Sequence, residues 1–163
     1  MALLILKVVA VLAVAVVFAL SLAHALEYPG KMRLAKEPYL AVQTIYYPGF
    51  TIGGATEPLS SLLVLALLLV SPWDQVGSLL LIVALGGLIV VQGVFWAMTQ
   101  PVNRVWVKLM PMGAAGKRLF RPDEADAAEP EWTGLRDRWE RSHIIRCIAA
   151  SLALLALVVA VAR

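Results

Sequence analysis

The tightest constraint in this chain lies near its end. From Cys147 to Ala162 there is no charged residue, and the next charge is Arg163. Just before it, Trp132 to Arg146 reads W-T-G-L-R-D-R-W-E-R-S-H-I-I-R, with a charge at nearly every third position up to Ser142. A helix built this way runs from a polar region into an apolar one. Ala2 to Leu26 is also apolar, apart from Lys7, Ser21 and His24. At ~1.5 Å per residue it can cross a hydrocarbon core of ~30 Å. The run from Leu59 to Val70 is only about a dozen residues, roughly 18 Å of helix, so a span there has to start near Phe50 or Thr51. A further apolar stretch runs from Val76 to about Gln100. The pattern predicts an all-α protein, an integral membrane four-helix bundle. It forms one domain over residues 1–163, with spans near 2–26, 51–71, 76–100 and 143–162.

Composition supports this. Only 15% of residues are charged and 61% are hydrophobic, where a soluble domain carries about a quarter charged. The pI of 9.2 would suit a nucleic-acid partner. Basic residues beside apolar spans, however, normally orient a protein against anionic lipid. The expected partner is therefore the lipid bilayer and not nucleic acid. Cys147 is the lone cysteine, so no internal disulfide can form. Nothing decides between a monomer and a homo-oligomer. A secretory signal peptide is the rival reading of the first stretch, because Ala23-His24-Ala25 imitates a cleavage site. The apolar run exceeds a typical h-region, so a retained span is expected.

Between the spans, Glu27 to Tyr47 is amphipathic and punctuated by Pro29, Pro38 and Pro48. Leu34, Tyr39, Leu40, Gln43, Tyr46 and Tyr47 suggest a short interfacial helix after span one, where tyrosine is favoured. Glu57 has two readings. Either it lies inside span two, or Pro58 is the first helical residue and Glu57 sits at the interface. Gly53, Gly54, Gly86, Gly87 and Gly93 offer close helix approach, and Gln92 reads as an interhelical hydrogen-bonding residue. Pro101 is expected to kink or end span three. Pro111 to Pro130 reads as a mobile loop with a basic cluster and then an acidic run. Pro130 is expected to open a helix lasting to about Ala162. Trp132, Leu135, Trp139 and His143 form one stripe on it, most simply an interfacial aromatic belt.

Charge sets the expected topology. Lys31, Arg33 and Lys36 follow span one. Arg104, Lys108, Lys117, Arg118, Arg121, Arg136, Arg138 and Arg141 separate spans three and four. The turn from Ser71 to Gln75 has no Lys or Arg. The positive-inside rule places both basic segments, and the polar extension of helix four, on the cytoplasmic side of the cell membrane, with both termini outside.

That topology gathers His24, Glu27, Glu57, Gln100, Asn103, Arg104, Glu140, His143 and Arg146 at one end. Burying such groups costs several kcal/mol each unless they pair, so a mutual network is expected with or without a function. Glu140 and His143 share a helix face, and His24 and Glu27 repeat the spacing in reverse. A carboxylate–histidine metal site would use His24, Glu27, Glu57, Glu140 and His143, but only one Glu-x-x-His is correctly oriented. Haem between His24 and His143 is a further option, without a c-type attachment motif. The leading reading needs neither metal nor cofactor: His143, His24, Glu140 or Glu57 acts as base on an apolar substrate with an acidic carbon. The alternative is a non-catalytic membrane binding or partner subunit whose polar cluster is structural. A dinucleotide fingerprint, P-loop, zinc spacing and nucleophile elbow are all missing.

Several strings carry a resemblance. Q-P-V-N-R-V-W at Gln100 to Trp106 and L-R-D-R-W-E-R-S-H-I-I-R at Leu135 to Arg146 resemble bacterial membrane proteins grouped with fungal anthrone oxygenases. H-A-L-E-Y-P-G-K at His24 to Lys31, Tyr39-Leu40-x-x-Gln43 and Gly53-Gly54-x-x-Glu57-Pro58 are similar too. The resemblance implies a four-helix membrane protein that oxidises a polyphenolic anthrone to a quinone with O2 and no recognised cofactor. On that reading His143 or His24 is the base, and Arg146, Gln100 or Asn103 holds the developing oxyanion. Trp96, Trp139 and Tyr46 would stack on an apolar aromatic small molecule, with Glu27, Gln43 and Arg104 among its contacts.

Overall fold

The computed structural model describes residues 1–70, 72, 74–106 and 131–163. The expected loop of 111–130, the basic residues Lys108, Lys117, Arg118 and Arg121, and the helix start at Pro130 lie outside the described residues. So do Ser71 and Trp73 of the short turn. All regular structure among the described residues is helical. Helix α1 spans Ala2–Lys31, α2 Lys36–Gln43, α3 Gly49–Gly54, α4 Thr56–Val70, α5 Gln75–Val94, α6 Gln100–Trp106 and α7 Trp132–Ala162. A 3₁₀ turn, Thr44–Tyr46, follows α2, and one π-helical turn, Phe95–Thr99, joins α5 to α6.

Among the described residues, four stretches are long and apolar enough to cross a membrane: Ala2–Lys31, Gly49–Val70, Gln75–Trp106 and Trp132–Ala162. They pack as a ring in the order α1, α4, α5, α7 and back to α1, so α4 and α7 face each other across the diagonal. The ring closes on Val14 and Val17 of α1, Val64 and Leu67 of α4, Leu81, Leu88 and Val91 of α5, and Leu157 of α7. Leu12, Leu62, Ile82, Ile89, Leu152 and Leu155 point outward and stay exposed. That is the distribution of a bundle surrounded by lipid, where outward apolar groups cost nothing and backbone groups must be satisfied within helices.

Small residues bring α5 and α7 together. Ala149, Ala150, Ala153, Ala156 and Ala160 form a buried stripe on α7. Gly87 of α5 lies so close that a Cβ there would stand 2.8 Å from the Ala149 carbonyl oxygen and 3.0 Å from Ala153 Cβ. Gly53 approaches the Leu20 side chain in the same way, while Gly54, Gly86 and Gly93 face open space. Of the five glycines expected to allow close packing, Gly87 and Gly53 are used and the other three are not.

The two ends of the bundle differ. At one end Asp74 caps α5 by accepting from the Gly77 N–H at 2.7 Å, and Arg163 donates to its other oxygen at 2.9 Å. The Gly77 N–H, and then Arg163, hold the Asp74 carboxyl below its ordinary value. At the other end a second core of Tyr39, Tyr46, Val102, Trp106 and Trp139 joins α2, the 3₁₀ turn, α6 and α7. Helix α1 runs past the expected span end at Leu26, through Pro29 to Lys31, which meets the buried Glu140. Two expectations change here. Tyr39 and Tyr46 are buried inside the bundle end rather than facing an interface. The Trp132–His143 stripe is likewise packed inward, since Trp139 and His143 are both buried.

Pro101 neither ends nor breaks span three. The preceding turn is π-helical, and α6 continues to Trp106. Proline has no N–H to give to the carbonyl four residues back. That carbonyl, Ala97 O, accepts instead from Arg138 Nη2 of α7 at 2.6 Å.

Because a Cβ at position 87 meets backbone rather than a movable side chain, Gly87→Ala should destabilise the bundle by about 1–3 kcal/mol, the usual cost of overpacking. Gly86→Ala, one residue away in open space, should be neutral or slightly stabilising, as removing a helical glycine contributes up to ~1 kcal/mol. Thermal unfolding of the two variants in detergent checks this pair.

Candidate functional site

The polar residues that the sequence collects at one end divide into two groups. The first is closed. Glu140, 1% exposed, accepts from the Tyr39 hydroxyl at 2.8 Å and lies 3.2 Å from Lys31 Nζ. Lys31 also reaches Glu27 at 3.4 Å and lies over the rings of Trp139 and Tyr46, 4.7 and 5.2 Å from their centroids. Glu27 in turn accepts from the Tyr46 hydroxyl. Burial, and then the Glu140 carboxylate, push the Tyr39 phenol well above its ordinary range; burial and the bond to Glu27 do the same for Tyr46. Both tyrosines therefore act as permanent donors. Lys31 was not among the residues singled out from sequence, because a lysine after an apolar span reads as a surface charge.

The second group lines a cavity of about 330 Å³, within the size range of small-molecule sites. Its walls include His24, Gln43, Tyr46, Glu57, Trp96, Gln100, Asn103, Trp139, His143 and Arg146. Glu140, Glu27 and Arg104, also candidates from sequence, are not in the wall. Phe50, Phe95, Thr99, Ser21 and Gln92 line it as well. Helical spacing carried a signal for most of these. Ser21 lies one turn before His24, and Gln92, Trp96, Thr99 and Asn103 recur at three and four residues.

The two histidines sit against each other, ring centroids 4.1 Å apart. Trp139 lies 4.1 Å from His143 and 5.0 Å from His24; Tyr46 and Phe50 close the other sides of His24 at 4.5 and 4.7 Å. In contact and tilted 36° to each other, the histidine rings leave no gap for a macrocycle, so the haem arrangement does not fit. Arg146 makes an ion pair with Glu57 across the diagonal of the bundle. Pro58 is not the first helical residue, since α4 starts at Thr56, and Glu57 falls within the apolar helical stretch Gly49–Val70. Trp139 Nε1 donates to Asn103 at 3.0 Å, and Thr99 and Ser142 share a hydrogen bond at 2.8 Å. Among the described residues, no three His, Cys, Asp or Glu side chains gather so as to hold a metal ion. His24, Glu27, Glu57, Glu140 and His143 form no such set: Glu57 is paired with Arg146, while Glu27 and Glu140 share Lys31 and each accepts from a tyrosine.

Hydrogen bonding distinguishes the two histidines chemically. Arg146 Nη1 lies 3.3 Å from His143 Nδ1, and a guanidinium can only donate. His143 Nδ1 is therefore the acceptor, and the proton of the neutral ring is on Nε2. That atom is buried and has no hydrogen-bond partner among the described residues; the same holds for Arg146 Nε, Gln43 Nε2 and His24 Nδ1. A cavity wall with unpartnered donors from His143, Arg146 and Gln43 suits a ligand that presents acceptor oxygens.

The model of a protein family described as anthrone oxygenase matches residues 44–156, well over half of the chain. The chain belongs to the anthrone oxygenase family. No curated protein and no solved structure matches it. The matched region contains every cavity residue except Leu20, Ser21, His24 and Gln43. For this membrane protein of the anthrone oxygenase family, then, α1 and the end of α2 complete the cavity from outside the match.

Within this group the Lys31–Glu140 pair is expected to act as structure. Lys31→Met strands a buried Glu140 and should cost about 3–5 kcal/mol. Combining it with Glu140→Leu removes both charges and should recover most of that loss. Detergent melting curves of the single and double variants measure it, and a double variant no better than the single would contradict the pairing.

Proposed function

We propose that this protein is a membrane-bound, cofactor-independent oxygenase acting on an apolar aromatic or quinone-type small molecule of the anthrone class. The observation that carries the reading is the His24–His143 pair, in ring contact on the wall of an aromatic cavity whose unpartnered polar atoms are mainly donors. Trp96, Trp139 and Tyr46 offer faces for a flat ring system. His24 is the better candidate for the base: its Nδ1 faces the Glu27 carboxylate at 3.8 Å and carries the proton, which leaves Nε2 basic, whereas Arg146 occupies the basic nitrogen of His143. His143 Nε2–H and Arg146 then stabilise negative charge as it develops on the substrate oxygen. The chemistry balances as follows. A proton leaves the substrate's CH2 carbon for the base, and the carbanion gives one electron to O2. The resulting radical and superoxide combine, and the carbon-bound peroxide loses water to leave a carbonyl. One O2 is consumed, and one oxygen atom enters the quinone and the other leaves as water.

The orientation belongs to the same proposal: the end of the bundle bearing the cavity faces the cytoplasm and both termini face out. Lys31, Arg33, Arg104, Arg136, Arg138 and Arg141 at that end support it through the positive-inside rule.

Oxygen uptake by purified protein given anthrones or hydroquinones tests the activity. His24→Gln and His143→Gln should each lower turnover by about 10²-fold or more, the scale of a lost acid–base or oxyanion group. An unaltered rate in both variants would remove the histidines from the chemistry. Membrane-impermeant thiol labelling of Arg33→Cys and Gln75→Cys, on a Cys147→Ser background, tests orientation. Periplasmic labelling at position 33 would invert it.

A further inference from the structure

A base sealed among rings must lose the proton it takes before it can act again. His24 is 5% exposed and enclosed by Tyr46, Phe50, Trp139 and His143. One carboxylate lies within ion-pair range of it among the described residues: Glu27 Oε2, 3.8 Å from His24 Nδ1 and one turn further along α1. The three carboxylates near the histidines differ in access. The side chains of Glu140 and Glu57 are 1% and 10% exposed, that of Glu27 38%. Glu27 therefore touches both the sealed imidazole and the outside. It is also held in place, by the Tyr46 hydroxyl and by Lys31, on the oxygen that faces His24.

We propose that Glu27 is the positioning residue of His24 and the outlet for its proton. This rests on His24 being the base in the reading above. In the step, the substrate C–H bond breaks and its electron pair stays on carbon while an N–H bond forms at His24 Nε2. The proton on His24 Nδ1 then passes to Glu27 and from there to water, which leaves a neutral ring with its proton on Nε2. When Nε2–H gives that proton to the carbon-bound peroxide as it loses water, Nδ1 takes one back from water through Glu27, and Nε2 is free again. No electron moves in this transfer; O2 takes the electrons afterwards from the carbanion. The other charged or titratable groups around the pair are Lys31 on α1, Tyr39 on α2, Tyr46 on the 3₁₀ turn, and Glu140, His143 and Arg146 on α7. None of them joins the imidazole to solvent: Lys31, Tyr39, Glu140, His143 and Arg146 are buried, and Tyr46 donates to Glu27 itself.

The test needs no substrate. Protein labelled with ¹⁵N-histidine gives one ring N–H signal from each of its two neutral histidines, assigned by their loss in His24→Gln and His143→Gln. Exchange of the His24 ring proton with water at fixed pH should slow about tenfold in Glu27→Gln, and Glu27→Asp should restore part of the rate. The His143 signal serves as internal control and should not change. Equal exchange in wild type and Glu27→Gln overturns the proposal. Should Glu27→Gln fail to fold, Tyr46→Phe removes a donor that competes for the same carboxylate oxygen and should speed exchange; no change there also overturns it. Because the readout is exchange, it stands or falls independently of oxygen uptake. If uptake is found, Glu27→Gln should lower steady-state turnover, and added formate should restore it.

Discussion

A charge carried into an apolar bundle fixes more of this structure than any apolar contact. Arg146 is the last cation of α7 before the uncharged run to Ala162, and it is 6% exposed. In hydrocarbon such a group is tolerated only when paired. Glu57, at the start of α4, is the partner, and it stands across the diagonal of the ring. The pair therefore sets the register of two helices that the apolar core relates only indirectly. It also explains why Glu57 lies inside its span when the apolar run nearby is too short to cross alone.

The same pair separates a closed half of the bundle from an open one. Below Arg146, alanines on α7 face Gly87, and the helices meet almost backbone to backbone. At Arg146 and beyond, the wall is made of long polar and aromatic side chains, which cannot fill the interior as evenly as small ones. The cavity opens there, beside the π turn of span three. A π turn shifts the facing of the side chains that follow, and such turns recur at functional sites. Here it brings Phe95, Trp96, Thr99 and Gln100 to one wall.

The closed network of Lys31, Tyr39, Glu27 and Glu140 serves the site from behind. It fixes α2 and the 3₁₀ turn against α7, and so holds Tyr46 and Gln43 where they line the cavity. Membership of the anthrone oxygenase family and an aromatic cavity with polar donors are the two supports of the function proposed above.

By itself the sequence determined the four apolar helices, because hydrocarbon thickness fixes how many apolar residues a span needs, and that count is local. It also determined which polar residues share one end, since alternating spans leave no other arrangement. It did not determine which of them face an open space. His24, His143, Glu57 and Arg146 line the cavity while Glu140, with the same residue type and spacing as its neighbours, is packed shut against Tyr39 and Lys31. That division depends on side chains from α1, α2 and α7 meeting over distances of a hundred residues, and no local pattern records it. Lys31 shows this most clearly. One turn past an apolar span it reads as a surface charge, and only the packing of α7 and the 3₁₀ turn against α1 adds Glu140 and two aromatic faces to the Glu27 of its own helix.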